Sequence, residues 1–248
     1  MINTQGSLLS GRNLERRFGG LLAVSELDID LYPGEILGLI GPNGAGKSTT
    51  FNILSGFYRP TGGELHVLGE ACTGSSPTKI SRRGLVRTFQ HGSLMPSMTV
   101  RDNILLGTMH QLSGRRRRKR VSRAEETAEM LGLSNYLQEI AGTLPHGLQR
   151  LVSIGIAFAT RPKILCLDEP LTGLNYTEAS SALQVLEKIR SDFNCSILLV
   201  EHNMKAAMKI CDRMVVLHHG KPIATGIPED IRANDEVISI YLGKRDDT

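Results

Sequence analysis

The chain has 248 residues, 40% hydrophobic, 22% charged and only 4% aromatic, a composition of ordinary globular proteins that excludes fibrous, disordered and membrane-embedded classes. The net charge is +4, yet Arg115 to Arg123 holds seven basic residues and no acidic one, and the remainder is net acidic. Charge gathered in one cluster, without a distributed basic face, argues against a nucleic-acid partner.

Cys72, Cys166, Cys195 and Cys211 are scattered without C-x-x-C spacing, so neither a disulfide framework nor a zinc site is expected, and a reducing compartment fits. Met1 to Arg12 lacks the basic-then-apolar order of a signal peptide, and no apolar run approaches the roughly 20 residues that cross a bilayer. Any link to a membrane is expected to run through a partner.

In chain order, Leu21 to Leu31 alternates as a half-buried strand and Pro33-Gly34 supplies a turn. Glu35 to Ile40 is a short Ile/Leu-rich strand that runs into Gly41 to Thr49, after which Thr50 to Gly56 reads as a helix. Helices at Val100 to Met109 and Arg123 to Leu131 flank the basic run Arg115 to Arg120, itself read as a solvated loop. Apolar strands Ile164 to Leu167 and Ser196 to Val200 end in Asp168-Glu169-Pro170 and Glu201-His202, with an amphipathic helix, Glu178 to Arg190, between them. Arg213 to His218, a His219-Gly220 turn and Lys221 to Ala224 read as a hairpin, followed by helical turns over Pro228 to Leu242 and a polar tail. Continuous apolar strands alternating with amphipathic helices indicate an α/β fold whose parallel sheet is covered on both faces.

Gly41-Pro42-Asn43-Gly44-Ala45-Gly46-Lys47-Ser48 matches G-x-x-x-x-G-K-[ST] in the strand-loop-helix context that gives this spacing its meaning. Such a loop cradles the phosphates of a nucleoside triphosphate. Backbone N–H groups and a helix N-terminus face the oxygens, Lys47 reaches the β- and γ-phosphates, and Ser48 offers a hydroxyl to Mg²⁺, with Thr49 adding a phosphate contact. Asp168 and Glu169 end an apolar strand, so one carboxylate can serve the metal while the other polarises a water for attack on the γ-phosphate. His202 ends the next strand and can orient that water, although a strand-end histidine is also commonly structural. Gln90 closes the β-like stretch Val86 to Gln90 and can reach Mg²⁺ or the water; taken alone it reads better as a solvent-exposed loop residue.

In order and spacing these motifs, over about Leu14 to Gly243, resemble the ATP-binding subunit of ATP-binding-cassette transporters. Arg17 to Val24, Gly56 to Gly63, Val200 to Lys205 and the ending Pro228 to Gly243 look like the LivG-type subunit of branched-chain amino acid importers. The resemblance implies a RecA-like P-loop core with an antiparallel β element near the N-terminus and an inserted helical lobe at about 92–142, all one cassette domain over 1–248. It makes Phe18 the ring that stacks on adenine, Gly41 to Thr49 the Walker A loop, Gln90 the Q-loop residue, Asp168 and Glu169 the Walker B pair and His202 the switch histidine, with ATP and Mg²⁺ as cofactors. It further implies ATP hydrolysis that drives import, transmembrane permease subunits as partners, a solute-binding protein acting indirectly, and a peripheral place on the cytoplasmic face of the inner membrane.

One segment departs from the family. Where Leu-Ser-Gly-Gly-Gln is expected, the chain reads Leu144-Pro145-His146-Gly147-Leu148, then Gln149. This segment serves the ATP of the opposite subunit, and Pro145 and Leu148 remove a hydroxyl, a backbone N–H and a side-chain amide. Gly147 alone is expected to keep the motif's backbone freedom. The pattern points to a heterodimer with a second ATP-binding subunit. A homodimer is the alternative, with a helix starting near Leu148 still aimed at the γ-phosphate. The basic run has a second reading too, contact with anionic lipid headgroups.

Overall fold

The computed structural model describes residues 6–88, 94–109 and 117–242. Its elements in chain order are β1 (Leu9–Phe18), β2 (Leu21–Leu31), β3 (Ile36–Ile40), α1 (Lys47–Leu54), β4 (Gly62–Val67), β5 (Glu70–Ala71), α2 (Pro77–Arg83), β6 (Leu85–Arg87), α3 (Val100–Thr108) and α4 (Arg117–Met130). They continue as α5 (His146–Phe158), β7 (Ile164–Asp168), α6 (Tyr176–Phe193), β8 (Ser196–Glu201), α7 (Met204–Ala207), β9 (Arg213–His218), β10 (Lys221–Gly226), α8 (Pro228–Ala233) and α9 (Asp235–Leu242). Two compact units divide the chain, Met1–Leu85 with Ser196–Thr248, and Val86–Cys195.

In the first unit, β3 lies parallel to both β8 and β9, and β9 turns back into β10 as an antiparallel hairpin. All of β3 and β8 is buried, as continuous apolar strands of a parallel sheet must be. An antiparallel sheet in the order β2-β1-β4-β5 accompanies them. On β2, Leu27, Ile29 and Leu31 face inward while Glu26 and Asp28 are exposed, which is the alternation the sequence displays. Strand β1 has no such signature. Its pairing with β2 shifts register three times between Gly11 and Arg17, and each irregularity turns the next side chains to the other face.

In the second unit β7 is wholly buried and β6 is its neighbour, with Thr88 N–H donating to the Cys166 carbonyl at 2.9 Å. Helix α3 opens on Thr99, whose hydroxyl accepts from Asp102 N–H at 3.1 Å. It packs tightly on α5 because Gly107 leaves room for the Ile156 carbonyl. Helix α6 opens on a capping box, with Asn175 and Glu178 each accepting the other's backbone N–H at 3.0 Å.

Arg117 to Arg120 forms the first turn of α4 and is not a loop; Arg115 and Arg116 lie outside the described residues. Arginine and lysine are good helix formers, and buried Ala124, Thr127 and Ala128 anchor the helix they begin. Helix α5 starts at His146, two residues before the start read from the sequence. All four cysteines are buried and none is in a disulfide.

Candidate active site

The loop from Gly41 to Gly46 joins β3 to α1, and its shape follows from glycine. Gly46 caps α1 with φ 102°, a left-handed conformation, and offers no side chain to the first turn. The N-terminal N–H groups of α1 are therefore left to face a ligand. A Cβ on Gly46 would stand 2.7 Å from the Ala23 carbonyl and 3.3 Å from Gly220 Cα. The β9–β10 turn also supports the loop, since Gly220 N–H donates to the Ala45 carbonyl at 2.9 Å and the Gly220 carbonyl accepts from Ser25 N–H at 2.8 Å. Gly44 has open space around its Cα, with no neighbour near the position a Cβ would take, and it is exposed together with Asn43.

Lys47 is buried and arches over the loop, donating from Nζ to the carbonyls of Gly41 at 2.8 Å and Pro42 at 3.0 Å. Ser48 is exposed on the first turn of α1, and Thr49 is half-buried beside it. Glu201 stands opposite Ile40 in the parallel pairing of β3 with β8. His202 and Gly41 thus follow neighbouring strands at the same carboxyl edge, and His202 is exposed there. Phe18 ends β1, pairs with Leu21 and is 38% exposed. Its ring meets Tyr58 edge-on at 5.3 Å, and the Arg16 guanidinium lies 4.4 Å from its centroid. Leu21, the strand partner of Phe18, is two residues or about 7 Å along β2 from Ala23, whose carbonyl a Cβ on Gly46 would meet. The first unit therefore gathers Phe18, Gly41 to Thr49 and His202.

The second unit carries the acidic pair. Asp168 ends β7, is 5% exposed, and its charge acts on Arg87, whose own pKa is lowered first by burial and held up by Asp168. Glu169 adopts φ 48°, rare for a residue with a side chain and a mark of local strain at the point where the strand ends. The backbone there is pinned by Arg150, whose Nη2 donates to the Glu169 carbonyl at 3.0 Å, and the carboxylate accepts from the Thr172 hydroxyl at 3.3 Å. No helix starts at Glu169; the next one, α6, waits for Asn175. Gln90 lies outside the described residues.

Leu144 to Gln149 forms the entrance to α5. Leu144 is buried, Pro145 is the cap with no side-chain hydrogen bond, and exposed His146 begins the helix. Leu148 is half-buried, and Gln149 folds back to donate to the Leu144 carbonyl at 2.8 Å. Gly147 has no positive φ, contrary to the backbone freedom expected of it. It is required for space, because a Cβ there would meet the Glu178 carboxylate at 2.7 Å. Next to it the His146 ring lies 3.4 Å from the position a Cβ on Gly173 would take. Arg150, Gly220 and Ala23 escaped the sequence reading; Gly220 was visible only as a turn, and the other two carry no local signal.

A family model described as ABC transporter matches residues 24–172, and another described as branched-chain amino acid ATP-binding cassette transporter matches residues 221–247. The chain is 44% identical to the high-affinity branched-chain amino acid transport ATP-binding protein LivG of Escherichia coli (strain K12), over 96% of this chain and 98% of that protein. It is 41% identical, over the same shares, to the protein BraF of Pseudomonas aeruginosa, which bears the same description. A solved nucleotide-free ATP-binding cassette from an ABC transporter shares the fold with a TM-score of 0.88 at 27% identity, covering 96% of this chain and 100% of that one. The expected RecA-like α/β core is borne out by that likeness.

Proposed function

The chain belongs to the ABC transporter family, and from that membership we propose that it is the ATP-hydrolysing subunit energising import of branched-chain amino acids, or of similar small polar solutes, through a membrane permease. The observation that carries the reading is the uncapped, left-handed entry of Gly46 into α1 beneath the Lys47 ammonium. The match over residues 221–247 supports the solute class.

In this reading Lys47 exchanges its carbonyl partners for the β- and γ-phosphates, Gly41 to Thr49 wraps the phosphate chain, and Phe18 stacks on the adenine. Glu169 accepts the proton of the attacking water, with His202 and Gln90 orienting it and Arg150 fixing the backbone of Glu169. The Ser48 hydroxyl and the Asp168 carboxylate are hard oxygen donors. That donor set fits Mg²⁺, which takes few protein ligands and completes its shell with water and phosphate oxygens. Bound there, with Gln90 as a further contact, it would neutralise charge on the phosphates.

The two units form one cassette whose helical portion, at about 92–142, passes ATP-driven closure to permease subunits. Leu144 to Gln149 acts on the nucleotide of an opposed subunit. The Pro145 cap, with neither hydroxyl nor N–H, favours a heterodimer with a second ATP-binding subunit over a homodimer. Among the described residues no helix is long and apolar enough to cross a membrane; a peripheral seat on the cytoplasmic face of the inner membrane, held by the permease and fed indirectly by a solute-binding protein, fits this.

The test is uptake of labelled leucine by cells lacking this chain. Wild type is expected to restore it and Glu169→Gln is not, with unlabelled valine competing. Leucine uptake unaffected by loss of the chain, with uptake of another small solute abolished, would move the assignment to that solute. Light scattering of the purified Glu169→Gln chain with MgATP separates the assemblies: a monomer is expected, and a stable homodimer would remove the need for a second subunit.

A further inference from the structure

The tip of the β1–β2 hairpin gives Phe18 little to rest on. Gly19 and Gly20 follow it, both exposed and with no atom within 4 Å of the position a Cβ would take. The ring is met from the other direction, by Arg16 on its own strand and by Tyr58 beyond the end of α1.

These two residues form a corner. The rings of Phe18 and Tyr58 stand at 77° to one another, and the Arg16 guanidinium lies 4.4 Å from the Phe18 centroid and 5.4 Å from that of Tyr58. Both distances fall within the roughly 6 Å over which an aromatic face attracts a cation. The same guanidinium donates from Nη1 to the Arg59 carbonyl at 2.8 Å. That acceptor sits in a fixed stretch of chain. Phe57 and Tyr58 both donate their N–H to the Asn52 carbonyl of α1, at 2.8 and 3.0 Å, and Thr61 N–H donates to the Glu15 carbonyl at 2.8 Å. Arg16 thus ties the end of β1 to the chain leaving α1, the helix that carries Lys47 and Ser48 at its other end. Arg17, the neighbouring cation, is exposed.

We propose that Arg16 is a positioning residue for base recognition, holding Phe18 against Tyr58 from behind so that the opposite face of the ring receives the adenine. The proposal rests on the reading of Phe18 as the ring that stacks on adenine. Aromatic faces are electron-rich and resist lying directly on one another; a guanidinium behind one of them draws electron density away from the open face and lowers that cost. It also limits the swing of the ring, so the stacking surface exists before nucleotide arrives. Arg16 acts on the nucleotide through Phe18, so its contribution falls on the base and not on the triphosphate. An arginine that merely stapled β1 to the turn would lower Tm and leave the balance between base and phosphates untouched.

The experiment compares wild type, Arg16→Ala, Arg16→Lys, Arg17→Ala and Phe18→Ala as full-length chains. Displacement of a ribose-labelled fluorescent ATP gives Kd for ATP and for inorganic tripolyphosphate, which keeps the phosphates and lacks the base. Steady-state hydrolysis gives kcat and KM for ATP. Arg16→Ala is expected to raise Kd and KM for ATP by about threefold to tenfold, the size of a partly shielded cation–π contact, with kcat and the Kd for tripolyphosphate within twofold of wild type. Arg16→Lys keeps the cation without the planar fork and is expected to recover part of the loss. Arg17→Ala removes an equal charge next door and is expected to leave the ratio of the two Kd values unchanged. If Phe18→Ala weakens ATP but not tripolyphosphate while Arg16→Ala matches wild type, the brace is refuted and the stacking reading stands. A wild-type ratio in Phe18→Ala ends the stacking reading and the brace with it. Tighter ATP binding by Arg16→Ala also refutes the brace, since the guanidinium would then occupy the face the base needs. Equal losses for ATP and tripolyphosphate refute it too, because they assign Arg16 to the phosphates or to the fold.

Discussion

Arg150 of α5 donates a hydrogen bond to the backbone carbonyl of Glu169 at 3.0 Å, so the residue that follows β7 in a strained left-handed conformation is tethered to the helix that begins at Pro145 and His146. The side chain proposed to activate water and the segment proposed to serve an opposed nucleotide thereby share one mechanical link within their unit. Replacing Arg150 with alanine is expected to lower kcat about tenfold with little change in KM for ATP. The tether orients Glu169 without touching nucleotide, and the loss of one partly exposed bond costs about 1 kcal/mol of stability. Steady-state hydrolysis alongside urea denaturation checks both halves; a kcat equal to wild type would mean that Glu169 holds its conformation unaided.

Glu169→Gln preserves the shape of the side chain and removes its basicity. Phosphate release is expected to fall by at least about a hundredfold, within the range lost with a general base, while nucleotide affinity stays near wild type. A single-turnover assay with labelled ATP separates the chemical step from binding. Hydrolysis retained within tenfold would shift the role of base to another residue.

The two loop glycines Gly44 and Gly46 differ in what surrounds them, and alanine at each reads that difference. At Gly46 a Cβ meets the Ala23 carbonyl at 2.7 Å in a backbone with φ 102°; loss of nucleotide binding is expected, with destabilisation of about 2 kcal/mol or more. Gly44 has φ 78° and open space, so only the conformational cost of about 1 kcal/mol applies. Thermal unfolding of the two variants should rank them in that order.

Much of this site is written locally. The glycine spacing of Gly41 to Ser48 and the unbroken apolar runs of β3, β7 and β8 need no tertiary information, because each lies within a few residues of the feature it produces. What escaped either lacks the usual local signals or depends on a long-range partner. The start of α5 is hidden because a proline cap carries none of the usual oxygen-bearing signals. The first turn of α4 is hidden because four consecutive cations show no apolar stripe, and its packing residues come only at Ala124 and Ala128. The need for glycine at position 147 comes from Glu178, a residue committed to capping another helix.

Burial raises the thiols of Cys195 and Cys211 from the usual 9.0 to about 12, and raises Cys166 further. The sign follows from which state loses the proton first. Below pH 9 the thiols are neutral in both states and the contribution is intact; between pH 9 and about 12 the unfolded chain ionises and the folded one resists, so stability falls. Tm is expected to decline across that window, less steeply in the Cys195→Ala, Cys211→Ala double variant, and thiol-specific alkylation of native protein at pH 8 is expected to be slow for these three cysteines until denaturant is added. A double variant whose Tm declines as steeply as wild type would assign the alkaline loss to other groups.

The hydrogen bond from Gly220 to the Ala45 carbonyl also bears on how the protein is made. A ribosome finishes the glycine loop early, yet the turn that backs it is synthesised only after β8, α7 and β9. Pairing across so much intervening chain is slow and late in any folding sequence. A nascent chain that stops short of the β9–β10 hairpin is therefore expected to carry the nucleotide motif without nucleotide affinity, leaving β3 and its loop as a client for chaperones until the hairpin arrives.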